Sequence, residues 1–144
     1  VTLLGVPDRA GSAAEVFSRL AEANLNVDMI IQSPAMTANA TNMLFTVGRR
    51  DAAAAETLMR DAQSQIGFAE VRVDTDVVKV SVIGVGMRSH AGVAQTMFKA
   101  LADQGIAMQA ISTSEIKISV LVETARGEEA VRALHAAYGL EAAA

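Results

Sequence analysis

Apolar residues recur along this chain at two spacings. From Val1 to Val6 they alternate, and the run ends in Pro7-Asp8-Arg9-Ala10-Gly11, which predicts a strand followed by a turn. Val16, Phe17, Leu20 and Ala23 then fall at helical spacing, and Ser12 with Glu15 forms an S-x-x-E capping box at the start of that helix. Next comes a strand in which Val27, Met29 and Ile31 point one way, while Asn26, Asp28, Ile30 and Gln32 point the other. Met43, Phe45 and Val47 mark a third strand. Ala55, Leu58, Met59, Ala62 and Ile66 mark a second helix, with Asp51 as its N-cap. Val71 and Val73, alternating with Glu70, Arg72 and Asp74, complete the set with a last strand.

The same order returns from about Val78. A strand over 78–85 leads to a helix carrying Met97, Phe98 and Leu101, then to strands over 106–112 and 116–122 and a helix through Val131, Leu134 and Tyr138. The recurrence extends to identities. A shift of 81 places Gly11 on Gly92, Ala13 on Ala94, Phe17 on Phe98, Leu20 on Leu101, Ile30 on Ile111 and Ser33 on Ser114. Upstream, the shift that lays Val1 on Val80 matches VTLLGV to VSVIGV, so the second copy carries a loop two residues longer. No final strand follows the last helix. The second sheet therefore has three strands, or its edge is completed by a segment outside this sequence. The order β-α-β-β-α-β is the split βαβ arrangement of ferredoxin-like folds. The expected class is α+β, with two tandem modules over residues 1–76 and 77–144, joined near Asp74-Thr75-Asp76. Each has an antiparallel sheet with helices on one face, which leaves the other face wet or partnered.

Composition narrows the function. Aromatics make up 3% of the 144 residues, so the core is aliphatic, and units of about 70 residues are marginal alone. Without cysteine there are no disulfides or thiolate metal sites, which fits a reducing cytoplasm. No apolar run reaches the roughly 20 residues that span a bilayer. The N-terminus lacks both a signal-peptide pattern and an initiator Met, so an excised or processed piece is expected. A net charge of −4 weighs against nucleic acid and anionic membrane as partners. Sheets of this topology that bind RNA expose stacking aromatics, and here only Phe45 and Phe68 lie near the strands.

Catalytic patterns are missing from the sequence. His90 and His135 fall in different modules without metal-ligand spacing, and read as a loop residue and a helix-surface residue. Gly84-Val85-Gly86 follows a strand, but Gly92 is too distant for a dinucleotide loop. No catalytic residue, metal or cofactor is expected. What remains is the pair of strand-to-helix loops, Pro7 to Ala13 and Gly86 to Ala94. Glycine allows a close backbone approach, helix N–H groups favour a carboxylate, and Asp8 suits an ammonium, so together they suit a zwitterionic amino acid. The competing reading is a tight turn in which Ser12 caps its own helix.

PDRAG followed by a helix and NVDMIIQS (Asn26 to Ser33) resembles the first ACT module of aspartate kinases. GMRSHAGVAQTMFKAL (Gly86 to Leu101) and AISTSEIKISVLV (Ala110 to Val122) resemble the second, and the likeness covers nearly the whole chain. The resemblance implies a regulatory region that binds lysine, threonine or both and inhibits the kinase. It also implies a homodimer in which the first module of one chain packs on the second module of another, with effectors between modules. Carried over by position, Asp8, Arg9, Ala10, Gly11, Ser12 and Ala13 would meet the effector's amino and carboxylate groups, largely through backbone. Asn26, Val27, Asp28 and Gln32 would line the pocket from the neighbouring strand. Ala94, Gln95, Met108, Gln109, Glu115 and Ile116 would come from the second module. Partners implied are the amino-acid effector, a second copy, and the kinase catalytic domain or subunit, in the cytoplasm. Ala10, Ala94 and Ala107 depart from the family pattern, replacing a proline, a hydroxyl residue and an asparagine. The kinase domain itself is absent. The alternative is a stand-alone tandem ACT sensor that controls another enzyme or a repressor.

Overall fold

A computed structural model of the chain describes residues 1–84, 90–114 and 116–138. It divides into two compact units, Val1–Thr75 and a second that starts at Asp76. The first unit runs β1 (Thr2–Pro7), α1 (Ser12–Glu22), β2 (Val27–Pro34), β3 (Ala40–Val47), α2 (Ala52–Ile66) and β4 (Glu70–Arg72). The second runs β5 (Val77–Ile83), α3 (His90–Asp103), β6 (Ala110–Thr113), β7 (Lys117–Glu123) and α4 (Gly127–Ala137). All strand pairs are antiparallel, in the orders β2-β3-β1-β4 and β5-β7-β6. Each unit is thus α+β with its helices packed against one sheet. Among the described residues the second sheet has three strands, and β5 occupies the place that β1 holds in the first.

The first core joins Leu3, Val6, Met43, Phe45 and Val71 of the strands to Val16, Leu20, Ala55, Met59 and Ile66 of the helices. Phe45 is fully buried and meets Phe17 edge to face at 5.6 Å, a favoured aromatic geometry. The second core repeats the design with Val80, Ile118, Val120 and Val122 under Met97, Leu101, Ala130 and Leu134. Among the described residues no helix is long and apolar enough to cross a membrane.

Local phase differs from the sequence expectation at several points. Strict alternation in β1 would send Leu3 and Val6 to opposite faces, yet both are fully buried in one core. A bulge between them restores the phase, with Gly5 at φ +71° and its N–H held by Asn42 Oδ1 at 3.1 Å. A Cβ on Gly5 would also come within 3.1 Å of the Ala69 Cβ. A second bulge lies in β2. Val27 pairs with Val47 and Ile30 with Phe45, so Val27, Ile30 and Gln32 share the helix-covered face. The expected grouping of Ile30 and Gln32 opposite Val27 is therefore corrected.

The final strand of the first unit is shorter than expected, with Val73 and Asp74 outside it. In the second unit β6 begins at Ala110 rather than Ile106. Ile106 still enters the core, but through the turn after α3 rather than through a ladder. His90 opens α3 and is not a loop residue, whereas His135 is exposed on α4 as anticipated. Asp51 does sit at the N-cap of α2, but its side chain makes no capping bond because a 3-10 turn (Arg49–Asp51) runs directly into the helix.

Tyr138 ends the second unit's last helix and donates its hydroxyl to the Val93 carbonyl at 2.6 Å, tying α4 to the first turns of α3. Burial pushes its phenol above the ordinary value, with the Met97 backbone working against that rise. A raised acid favours the neutral form in the fold, so its contribution is full below the unfolded pKa and is lost as pH climbs through the folded one. Tyr138 is the chain's one tyrosine, and there is no tryptophan. An ultraviolet titration should therefore place its midpoint above that of free tyrosine, with unfolding easier across that alkaline range. Phe45→Ala should lower stability in urea melts by about 3–5 kcal/mol, since it empties the centre of the first core.

Candidate effector site

The loop between β1 and α1 is held mostly by its own backbone. The Asp8 N–H donates to the Asn39 carbonyl at 2.8 Å, and the Arg9 N–H to the Pro7 carbonyl at 3.0 Å. Gly11 is the N-cap of α1 at φ +95°, a conformation that L side chains resist, and open space lies where its Cβ would be. The capping box expected from Ser12 and Glu15 does not form. Ser12 lies one position inside the helix, 2% exposed, and its hydroxyl turns back to the Pro7 carbonyl at 2.8 Å. Glu15 instead accepts from Arg19 at 3.4 Å and faces Arg9 at 3.9 Å. No side chain caps α1, so its first N–H groups are not occupied by a side-chain acceptor. Asp8, Arg9, Ala10, Gly11 and Ala13 are all exposed around this helix start.

The remaining expected residues divide by position along the sheet. Gln32 pairs with Met43 near the end of β2, and Pro34 with Thr41, so this end lies level with the Pro7 loop, which pairs with Ala40. Asn26, Val27 and Asp28 lie at the opposite end, where Val27 pairs with Val47. An eight-residue strand separates the two levels by roughly 20 Å. Beside Asn26 and Val27 a shallow cavity of about 290 Å³ opens between α1 and the edge of β2, lined also by Phe17, Ala21, Asn24, Leu25 and Ile30. Within the first unit the loop and Gln32 share one end of the sheet, and Asn26, Val27 and Asp28 lie at the other.

The second unit repeats this separation. Met108 and Gln109 follow the turn after α3, with Met108 packed partly into the core and the Gln109 N–H bonded to the Leu121 carbonyl at 2.8 Å. Ile116 is at the other end, 49% exposed, where its carbonyl accepts the Gly84 N–H at 2.8 Å. Ala94 is half-buried and Gln95 exposed on α3. Glu115 and loop residues 85–89 lie outside the described residues. Sequence reasoning missed Asn39, whose carbonyl anchors Asp8, and the Phe17–Ile30 side of the cavity. The first had a signal: asparagine in a strand-to-strand loop adopts left-handed turns, and Asn39 has φ +60°. No cluster of three metal-ligating side chains occurs among the described residues.

Two β-α-β-β units of this kind have the layout of ACT domains, and ACT domain family models match residues 1–62 and 80–138. The aspartate kinase of Pseudomonas fluorescens (strain SBW25) is 49% identical over all 144 residues, and the chain spans 35% of that protein's length. Among solved structures, aspartokinase alpha and beta subunits match at 44% identity and TM-score 0.86, with 96% of this chain and 90% of that one covered. The ligand-free regulatory subunit of aspartate kinase from Thermus thermophilus matches at 39% and 0.83, covering 94% and 89%. The chain belongs to the aspartate kinase family and corresponds to its regulatory part, a pair of ACT domains.

Ser12→Ala tests the loop's internal brace. The Pro7 carbonyl keeps its bond from the Arg9 N–H, so the loss should be only about 1 kcal/mol in a thermal or urea melt, with the fold retained.

Proposed function

We propose that this chain binds lysine, threonine or both at the ACT loops and transmits feedback inhibition to an aspartate kinase catalytic domain or subunit in the cytoplasm. The observation that carries the reading is the β1–α1 loop: a helix start with no side-chain cap, beside an exposed Asp8, with a left-handed glycine that leaves its surroundings open. Helix N–H groups favour the effector's carboxylate, and Asp8 its ammonium. Ala10 and Ala13 flank these groups, and Arg9 is drawn toward Glu15 on the helix.

The split of each unit's site residues supports a shared pocket. A free amino acid is far shorter than the roughly 20 Å between the Asp8 loop and Asn26–Asp28 along the strand. We therefore place the effector between modules of a homodimer, with the loop from one module and the Asn26–Asp28 or Met108–Gln109 segment from another. Gln32, Ala94, Gln95, Glu115 and Ile116 belong to the same proposed contact zones. Inhibition then follows from differential affinity: an effector that binds one arrangement of modules more tightly shifts the population toward it, and equal affinity for both would shift nothing.

Calorimetry with lysine, threonine and methionine in turn is expected to give saturable heat with lysine or threonine. Asp8→Ala should weaken that same ligand by about tenfold, the scale of one charged contact, while leaving the melting temperature unchanged. Silence toward all three amino acids would overturn the sensing function. Unaltered affinity in the Asp8 variant would overturn the placement of the site.

A further inference from the structure

The two units hold their α-to-β segments by different means. In the first, β2 begins at Val27, so the segment that carries Asn26, Val27 and Asp28 enters the ladder at once through Val27 and Val47. The counterpart of Val27 in the repeat is Met108, but β6 begins only at Ala110, and its first ladder pair is Ala110 with Leu121. Met108 and Gln109 therefore leave the turn after α3 without strand pairing, apart from the single Gln109 bond to Leu121.

Arg126 takes over that task. It stands at the end of a 3-10 turn (Thr124–Arg126) after β7, and its Nη2 donates to the Gln104 carbonyl at 2.6 Å. Its Nη1 reaches the Gly105 carbonyl at 3.4 Å. Glu129 grips the same guanidinium from the other side, at 2.7 Å on Nε and 3.1 Å on Nη2. The planar fork thus bridges a carboxylate on α4 and the two carbonyls that launch the Ile106–Gln109 segment. Lysine has no such fork. Asp51 fills the matching last place of the first unit's 3-10 turn, and a carboxylate cannot donate to carbonyls.

We propose that Arg126 is a positioning residue for the second unit's half of the effector pocket: it fixes the path of Met108 and Gln109, whereas Val27, the counterpart of Met108 in the first unit, is fixed by its ladder pair with Val47. The proposal rests on the function proposed above. It assigns Arg126 no contact with the ligand. Its effect travels through the Gln104–Gly105 turn.

The test measures lysine and threonine binding to the full protein by calorimetry for wild type, Arg126→Gln and Arg126→Lys, with amide exchange over Ile106–Gln109. Arg126→Gln should speed exchange in that segment and weaken the bound amino acid by about tenfold, and Arg126→Lys should recover part of both. Faster exchange with unchanged affinity would make Arg126 a helix-end brace only and overturn the proposal, as would unchanged exchange. Wild type that binds neither amino acid would overturn the function itself, and this proposal with it.

Discussion

Everything in each unit hangs on one sheet face being buried by two helices. Leu3, Val6, Met43 and Phe45 can leave water only if α1 and α2 cross back over the strands that carry them. That crossing dictates where the loops go. The chain must leave β1 at one end of the sheet and return to β2 at the other, so the Asp8 loop and the Asn26 segment are set apart by the length of the helix between them. The spread of the expected site residues along each sheet is a by-product of core burial.

The order and type of elements could be read from the sequence because periodicity and repetition spoke together. Phe17 and Phe98 keep the same register over both copies and stand equally far from the C-terminal ends of α1 and α3, whereas Gly11 precedes α1 and Gly92 lies inside α3, which begins earlier, at His90. What stayed hidden was phase. Val27, Met29, Ile30 and Ile31 are apolar at nearly every position, so either alternation suits β2, and only the pairing of Ile30 with Phe45 decides it. In β1 the bulge at Gly5 carries Leu3 and Val6 to the same side, which a count of alternating residues cannot express.

At the β1–α1 loop the same limit applies to capping. The S-x-x-E pattern at Ser12 and Glu15 describes spacing alone. The left-handed Gly11 moves the helix start by one residue, and the hydroxyl then finds the nearer Pro7 carbonyl. Likewise Ile106 and Met108 look like strand residues because they alternate and face the core, but burial does not require a ladder. Pattern reports which side chains avoid water. It does not report how the backbone is held while they do so.

The opposite charges of Asp51 and Arg126 at matching places make the two halves unequal. The two halves are not interchangeable: the second rivets its helix-to-strand turn with a guanidinium, at a place where the first carries a carboxylate. A chimaera built from two first halves or two second halves would keep its cores and lose the inequality between its ends.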